Sequence, residues 1–428
     1  MTHPKEHPSV TRRDFLRRAA ATGIAVPSMA AILAACRDSS SPTAPGAGSG
    51  SGTSTSTGIP LARPDAPVIL PLYDDIPPIE SDLPLEAGPL RVYNWNDYIY
   101  KKVMNQFTEE FGVEIEYTQF AGMSEAMNKV TQGTVDWDIF FPTIENVGKI
   151  VGGKMIRPWN KSYMPNFETN IWDYFKDPWY DGLAQYTLPY LTWKTGIGYR
   201  SDFVEDPSSY DMPFDIFWDP KYTGKVGLLN EYRETIGMAL LRNGGTDFNS
   251  TDPAELAAAT DALIELIDLV NVEVGPGDYQ KLAEEVSHVR YSWSGNMNYA
   301  QWYLPKGVST DVLGYYYPPT GGWEVANDTI VLNKDAQNPV LAHVFLNFLM
   351  DQDVSLTNFG YEGFQPPLVG VDRATFLEAG YIPPTLENTL VSEQDFADGQ
   401  PVLPLSPADD QLYQDEWTRF VSGANVTE

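Results

Sequence analysis

Hydrophobic and polar positions are most regular between Leu90 and Phe120. Leu90, Val92 and Tyr93 form a short apolar run that stops at Asn94-Trp95-Asn96-Asp97. Val103, Met104, Phe107 and Phe111 then recur at helical spacing, and Gly112 supplies a stop. Val113, Ile115 and Tyr117 next alternate with Glu114, Glu116 and Thr118, the two-residue period of a strand. The pattern predicts a strand–loop–helix–strand unit whose two strands lie parallel. Its first loop sits at the carboxyl end of a strand, where open α/β sheets bind ligands. That loop carries a Trp, a carboxylate and a Tyr.

Downstream, strands and helices keep alternating. Ser124–Thr131 reads as a helix, Asp138 to Pro142 as a buried strand, and Ile144 to Val151 as a helix closed by Gly152 and Gly153. Residues 155–185 are aromatic-rich and irregular. Thr195–Tyr199 and Val226–Leu229 read as strands. Asp252-Pro253-Ala254-Glu255 has the form of a capping box opening a helix to Val270. Arg290 to Gly295 is a strand with Trp293 near its end, and Thr329–Leu332 is another. Asn338-Pro339 opens an apolar helix to Met350, and Asp409–Val421 is the last helix. No period of 20–50 residues repeats. The class is α/β. Gly196-Ile197-Gly198 is no dinucleotide fingerprint, because Ser201 stands at its sixth position and no helix opens there.

At 428 residues the chain is long enough for two lobes with cores of their own. A formal net charge of −30 excludes nucleic acid as a partner, since phosphate binding needs a basic surface. The same charge suits a cationic ligand, and is equally compatible with mere solubility of an exported protein. Thr11-Arg12-Arg13-Asp14-Phe15-Leu16 has the form of a twin-arginine export signal, followed by an apolar stretch from Ala19 to Ala35. Leu33-Ala34-Ala35-Cys36 is similar to a bacterial lipobox, whose cysteine is lipidated. Cys36 is the only cysteine, so no intrachain disulfide and no Cys-based metal site can form. We expect residues 1–36 to be a twin-arginine lipoprotein signal. Residues 37–87, rich first in Ser and Gly and then in Pro and acids, should be a disordered tether, with order beginning near Gly88.

No H-E-x-x-H, phosphate-binding loop or G-x-S-x-G is present, and beyond the signal only His288 and His343 remain. His343 falls in the apolar helix and reads as structural. Glu231 and Glu234 could serve an envelope hydrolase as paired carboxylates. The binding reading is broader. Trp95, Asp97, Tyr98, Thr143, Glu145, Glu231, Glu234, Trp293 and Asp328 all fall at or just beyond strand ends. Aromatic faces attract cations by roughly 0.5–2 kcal/mol, and carboxylates bond ammonium groups strongly.

Tyr93-Asn94-Trp95-Asn96-Asp97-Tyr98, Asp138 to Thr143, Glu231-Tyr232-Arg233-Glu234, Trp293-Ser294-Gly295 and Asp328 together resemble the periplasmic spermidine/putrescine-binding proteins of ABC transporters. The resemblance runs from about Leu90 to the last helix. It implies Trp95 and Trp293 as walls for a methylene chain, Asn96 and Asp97 at one end of the ligand, Thr143 as a hydroxyl donor and Tyr98 lining the same region. It also implies Glu231 and Glu234 gripping a terminal ammonium and Asp328 meeting an inner amine, with Asp97 and Glu145 together at the far end. There are departures. Glu145 stands where the family often has Tyr, and Ala326 where Trp is common, leaving Trp323 to fill that wall. Phe364 takes the place of a Tyr, and a Gln near the C-terminus has no counterpart.

The resemblance implies a two-lobed type II periplasmic-binding fold with an interlobe cleft and strand crossovers near Tyr199 and Asp328. Residues 88–198 with about 328–370 would form one lobe, and 199–327 with about 371–428 the other. It further implies a monomeric, non-catalytic polyamine receptor, without cofactor or metal, serving a membrane permease; with the twin-arginine and lipobox motifs, we expect it exported and lipid-anchored in the periplasm or on the outer face of the cytoplasmic membrane. A different small ligand on the same fold, such as iron(III) or an anion, stays open. The candidate site is poor in the His and Arg that such ligands favour.

Overall fold

The computed structural model describes residues 54–427. The twin-arginine motif and Cys36 lie outside the described residues. Among the described residues no helix is long and apolar enough to cross a membrane.

The opening unit folds as its periodicity predicts. β1 (Leu90–Trp95) leads into helix Lys101–Phe111, which buries Val103 and Phe107 and stops at Gly112 with φ 70°. β2 (Ile115–Phe120) returns parallel to β1, in register from Leu90–Ile115 to Trp95–Phe120. β3 (Ile139–Phe140) joins the other edge of β1, also parallel. The Asp138 carboxylate, 1% exposed, accepts hydrogen bonds from the backbone of Arg91, Gln337 and Asn338 and ties this strand to the helix Pro339–Leu349. β4 (Ile156–Arg157) follows.

Two long strands carry the architecture. β5 (Leu188–Arg200) has 13 residues; after it come β6 (Val226–Leu228), β7 (Glu273–Val274), β8 (Val289–Trp293) and β9 (Leu313–Tyr316). β10 (Val325–Asn333) is the second long strand, and β11 (Asn425–Val426) ends the chain. The sheet order is β11-β7-β6-β8-β5-β10-β3-β1-β2, with β4 on β10 and β9 on β5. β5 pairs with β10 over its first half and with β8 and β9 over its second, so it passes from one lobe into the other at Lys194–Thr195. β10 makes the opposite passage, from β5 to β3 and β4, between Ile330 and Val331. Opposite Asp328, β5 carries two residues, Tyr190 and Leu191, against one on β10, which is a bulge.

Apolar clusters follow the two lobes. The first-lobe sheet is covered on one face by Val103, Phe107, Leu341 and Phe345, and on the other by Met123, Ala126, Val147 and Ile150. The second lobe packs Leu228, Ile236, Leu256, Leu263, Val289 and Phe420 together. Val371, Phe376 and Ile382 join the first cluster, whereas Tyr413 and Phe420 of the last helix join the second. The stretch after residue 370, expected wholly in the second lobe, is therefore shared.

Residues 54–87 depart from the expected unfolded tether. Ile59, Ala62, Leu70, Ile76 and Ile79 are all buried. A Pro-rich chain is already extended and loses little entropy on docking, so a few well-spaced apolar anchors hold it. Its end does structural work too: the Glu86 carboxylate accepts from Val340 N at 3.0 Å and Leu341 N at 2.7 Å, capping the helix that Asn338 was expected to cap. At the expected capping box, Asp252 caps its helix, but Glu255 bonds Ser250 and so leaves the reciprocal half unmade.

Candidate functional site

The site is assembled where the strand ends of both lobes meet. β1 ends at Trp95, and Asp97 then takes φ 55°, a left-handed turn that Asp tolerates better than most residues. The turn leaves Asn96 and Asp97 exposed and returns Tyr98 to the interior. The Tyr98 hydroxyl donates to Asp328 Oδ2 at 2.7 Å, while Asp328 Oδ1 has no partner. Phe364 packs edge-on to Tyr98 at 5.4 Å, and it closes so tightly on Gly295 that a Cβ there would stand 2.3 Å from the ring. Trp95 lies against Phe120, with its Nε1 buried and without an acceptor.

The turn after β3 supplies Thr143 and Glu145. The Thr143 hydroxyl donates to Glu145 Oε1, and Asn146 Nδ2 donates to both side chains, at 3.0 and 2.8 Å. From the second lobe, Glu231 sits at the N-cap position of helix Tyr232–Arg242 and Glu234 in its first turn. Trp293 Nε1 donates to Glu234 Oε2 at 2.8 Å, and Thr195 Oγ1 to the same oxygen at 3.3 Å. Arg233, between the two acids in sequence, turns away to Leu403 O and Asn249 Oδ1 and lies over the Tyr413 ring. The helix thus presents acid to the site and keeps its base outside.

Desolvation raises all four of these carboxyls, and repulsion between acids adds to it at Glu231, Glu234 and Asp328. Desolvation, with Glu234 and Glu145 adding to it, pushes Glu231 up to about 8. Desolvation takes Asp328 up to about 8 even though the Tyr98 hydrogen bond acts in the opposite sense. Glu145 is raised by desolvation, and Glu234 is raised strongly by desolvation and by its neighbour Glu324. Among the described residues none of these carboxylates is in an ion pair with Lys or Arg. No group of three or more His, Cys, Asp or Glu among them is arranged to hold a metal ion.

Several sequence expectations are redistributed. Trp323, expected to line the cleft, packs in the second-lobe core, stacked on Phe214 at 3.8 Å and flanked by Tyr316 and Tyr317. The Trp nearest Ala326 is Trp193, its cross-strand partner on β5, which is buried in the first-lobe cluster. Glu145 faces the field of Glu231, Glu324 and Asp328, whereas Asp97 faces Tyr117, Tyr279, Tyr299 and Tyr361. Asp97 and Glu145 therefore do not form one station. His343 is structural, accepting from Asn160 N and bonding Pro339 O, and His288 stacks on Phe203 at the far end of β8 from Trp293. Sequence reasoning missed Trp193, Thr195 and Glu324.

The model of the family described as "Bacterial extracellular solute-binding protein" matches residues 102–380. The "Spermidine/putrescine-binding periplasmic protein" of Escherichia coli (strain K12) is 30% identical over 273 residues, covering 63% of this chain and 75% of that protein. The "Putrescine/cadaverine-binding protein" of Pseudomonas aeruginosa is 26% identical over 278 residues, covering 62% and 75%. Among solved structures, a putative spermidine/putrescine ABC transporter protein from Listeria monocytogenes superposes with a TM-score of 0.65 at 24% identity, covering 78% of this chain and 98% of that one. A spermidine/putrescine substrate-binding protein from Streptococcus pneumoniae gives 0.64 at 23%, with the same coverage. These likenesses establish the two-lobed type II fold. The chain belongs to the bacterial extracellular solute-binding proteins.

Proposed function

We propose that the chain is the capture subunit of an ABC importer for polyamines, spermidine or putrescine, which it binds between its lobes and passes to a membrane permease. The observation that carries this reading is the set of acids, Glu234 and Asp328 buried and Glu145 and Glu231 half-buried, walled by Trp95, Tyr98 and Trp293 and lacking any basic partner among the described residues. Such a site suits a flexible chain of methylenes and ammonium groups. Each ammonium takes charge-assisted bonds from carboxylates, and the methylenes lie against aromatic faces. The named relatives bind ligands of this chemistry. The chain acts by binding and release and not by catalysis: Glu231 and Glu234 lie on one helix, and Glu234 is already held by Trp293 and Thr195. Closure of the lobes about β5 and β10 would bring the Tyr98–Asp328 side and the Glu234–Trp293 side onto the ligand.

In this reading the twin-arginine segment exports the folded protein, and lipidation of Cys36 holds it as a monomer on the outer side of the cytoplasmic membrane. A thermal-shift screen with putrescine, spermidine, spermine and common amino acids tests the ligand class. Polyamines alone should raise the melting temperature. A shift with an amino acid or a sugar and none with polyamines would refute the proposal.

A further inference from the structure

Glu324 is 1% exposed, and neither of its oxygens accepts a hydrogen bond from a protein donor. It stands at the head of β10, where Glu324, Ala326 and Asp328 share one face by the two-residue period. Thr195 and Trp193 share the matching face of β5, and the Thr195 N–H bonds the Glu324 carbonyl at 3.1 Å. Thr195 is also the register partner of Trp293. Three strands thus converge on one point, and helix Tyr232–Arg242 adds Glu234 to it. Glu234 accepts from Trp293 and Thr195. Its neighbour Glu324 can bond it only if one of the two carries a proton. Ala326 is the only side chain between Glu324 and Asp328 on that face, and it is small.

Resting on the polyamine reading, we infer that Glu324 is a specificity-determining residue, which with Glu234 forms a two-carboxyl station for one ammonium group and yields the pair's shared proton when that cation enters. The step balances. The ammonium keeps its protons, the pair passes from one carboxyl plus one carboxylate to two carboxylates, and the released proton goes to the buffer. The titratable groups that act most strongly on Glu324, or on which it acts, are acidic or phenolic, and the nearest cation on the strand, Lys194, lies over the Tyr317 ring at 4.9 Å. Glu231 and Glu234 come from the helix, Glu145 from the turn after β3, Tyr291 from β8, and Tyr315 and Tyr317 from β9 and just beyond it. Lys194, next to Thr195 on β5, points to the opposite face and pairs with Asp395 at 3.5 Å. Desolvation in these surroundings lifts Glu324 to about 7, so the exchange falls in the neutral range. A fully protonated polyamine would then bind more tightly as pH rises from 5.5 to 8, and a neutral ligand of the same length would gain nothing.

The test is calorimetric titration of spermidine into wild type and Glu324→Gln at pH 6.5, each in buffers of different ionisation enthalpy, which counts protons released. Glu231 and Asp328 also titrate, so the readout is the difference between the two proteins. Wild type should release roughly 0.5–1 proton more than the variant. The variant's affinity deficit should be about tenfold at pH 8 and should shrink toward pH 5.5. Glu324→Asp, which keeps a carboxyl, should keep the release. Equal proton counts in wild type and Glu324→Gln overturn the inference and leave polyamine binding standing. If the variant does not fold, a wild-type affinity that stays flat from pH 5.5 to 8 overturns it equally. Absence of any spermidine heat overturns both readings.

Discussion

Replacing Asp328 by Asn should stabilise the ligand-free protein while weakening its grip on the ligand. Asp328 is 2% exposed, and its carboxylate accepts one hydrogen bond, from Tyr98, and has no basic partner among the described residues. Its carboxyl is raised from 3.8 to about 8 by desolvation, aided by Glu145 and Glu234. A group whose folded value is raised is neutral in both states below the unfolded value, so its contribution is fully present there and is lost as pH rises through the folded value. The window runs from about pH 4 to about pH 8. At pH 7 the gap of about three units above 3.8 corresponds to an upper bound on the order of 4 kcal/mol. Water entry and relaxation around the site leave about 1–3 kcal/mol of that. Asn keeps the shape and the acceptor for Tyr98 and removes the charge. Urea unfolding of the ligand-free proteins should therefore show Asp328→Asn more stable than wild type at pH 8, with the difference fading by pH 4. Spermidine affinity should fall about tenfold or more, since a charge-assisted bond contributes roughly 1.5–3 kcal/mol. An Asp328→Asn protein less stable than wild type at pH 8, or a stability difference independent of pH, would refute this account of the site.

Trp293→Ala should weaken ligand binding far more than it lowers the ligand-free melting temperature, because the ring is half-buried between the two cores; a fully core Trp would cost about 3–5 kcal/mol of stability. A large melting-point loss with affinity preserved among folded molecules would place it in the core instead. Glu86→Ala should cost about 1–2 kcal/mol in urea unfolding by uncapping helix Pro339–Leu349, with spermidine affinity unchanged; an unaltered midpoint contradicts the structural role of Glu86. Cys36→Ala should abolish lipid processing and move the protein from the membrane to the soluble fraction, since stable anchoring needs more than one lipid chain. Fractionation like wild type would rule the lipid anchor out.

What the sequence made legible was what periodicity writes down. The Leu90–Phe120 unit, its Gly112 stop and the Asp252-capped helix could be read because one face of each is apolar and the other is not. The first half of β5 could not. Leu188 to Lys194 is buried on both faces, so it has no alternation, and Pro189 argues against a strand. Glu86 could not be read as a helix cap, since it lies more than 250 residues from the helix it caps. At the site, the acids at strand ends were found one by one, but their grouping depends on which strands meet, and this sent Glu145 to the wrong partner. The exchange of Trp323 for Glu324 is a phase error of one residue. On a strand that shift moves a side chain to the opposite face. Counting back by twos from Asp328 would have put Glu324 on the cleft side and Trp323 in the core.

The central claim, that the acids and aromatic walls of the interlobe site capture a polyamine, is tested most directly by calorimetric titration of spermidine into wild type and Glu234→Gln at pH 7.5 and fixed salt. The account predicts one spermidine per chain for wild type and at least about tenfold weaker binding for a variant that melts normally. No binding by wild type, or equal affinity in the folded variant, would contradict it.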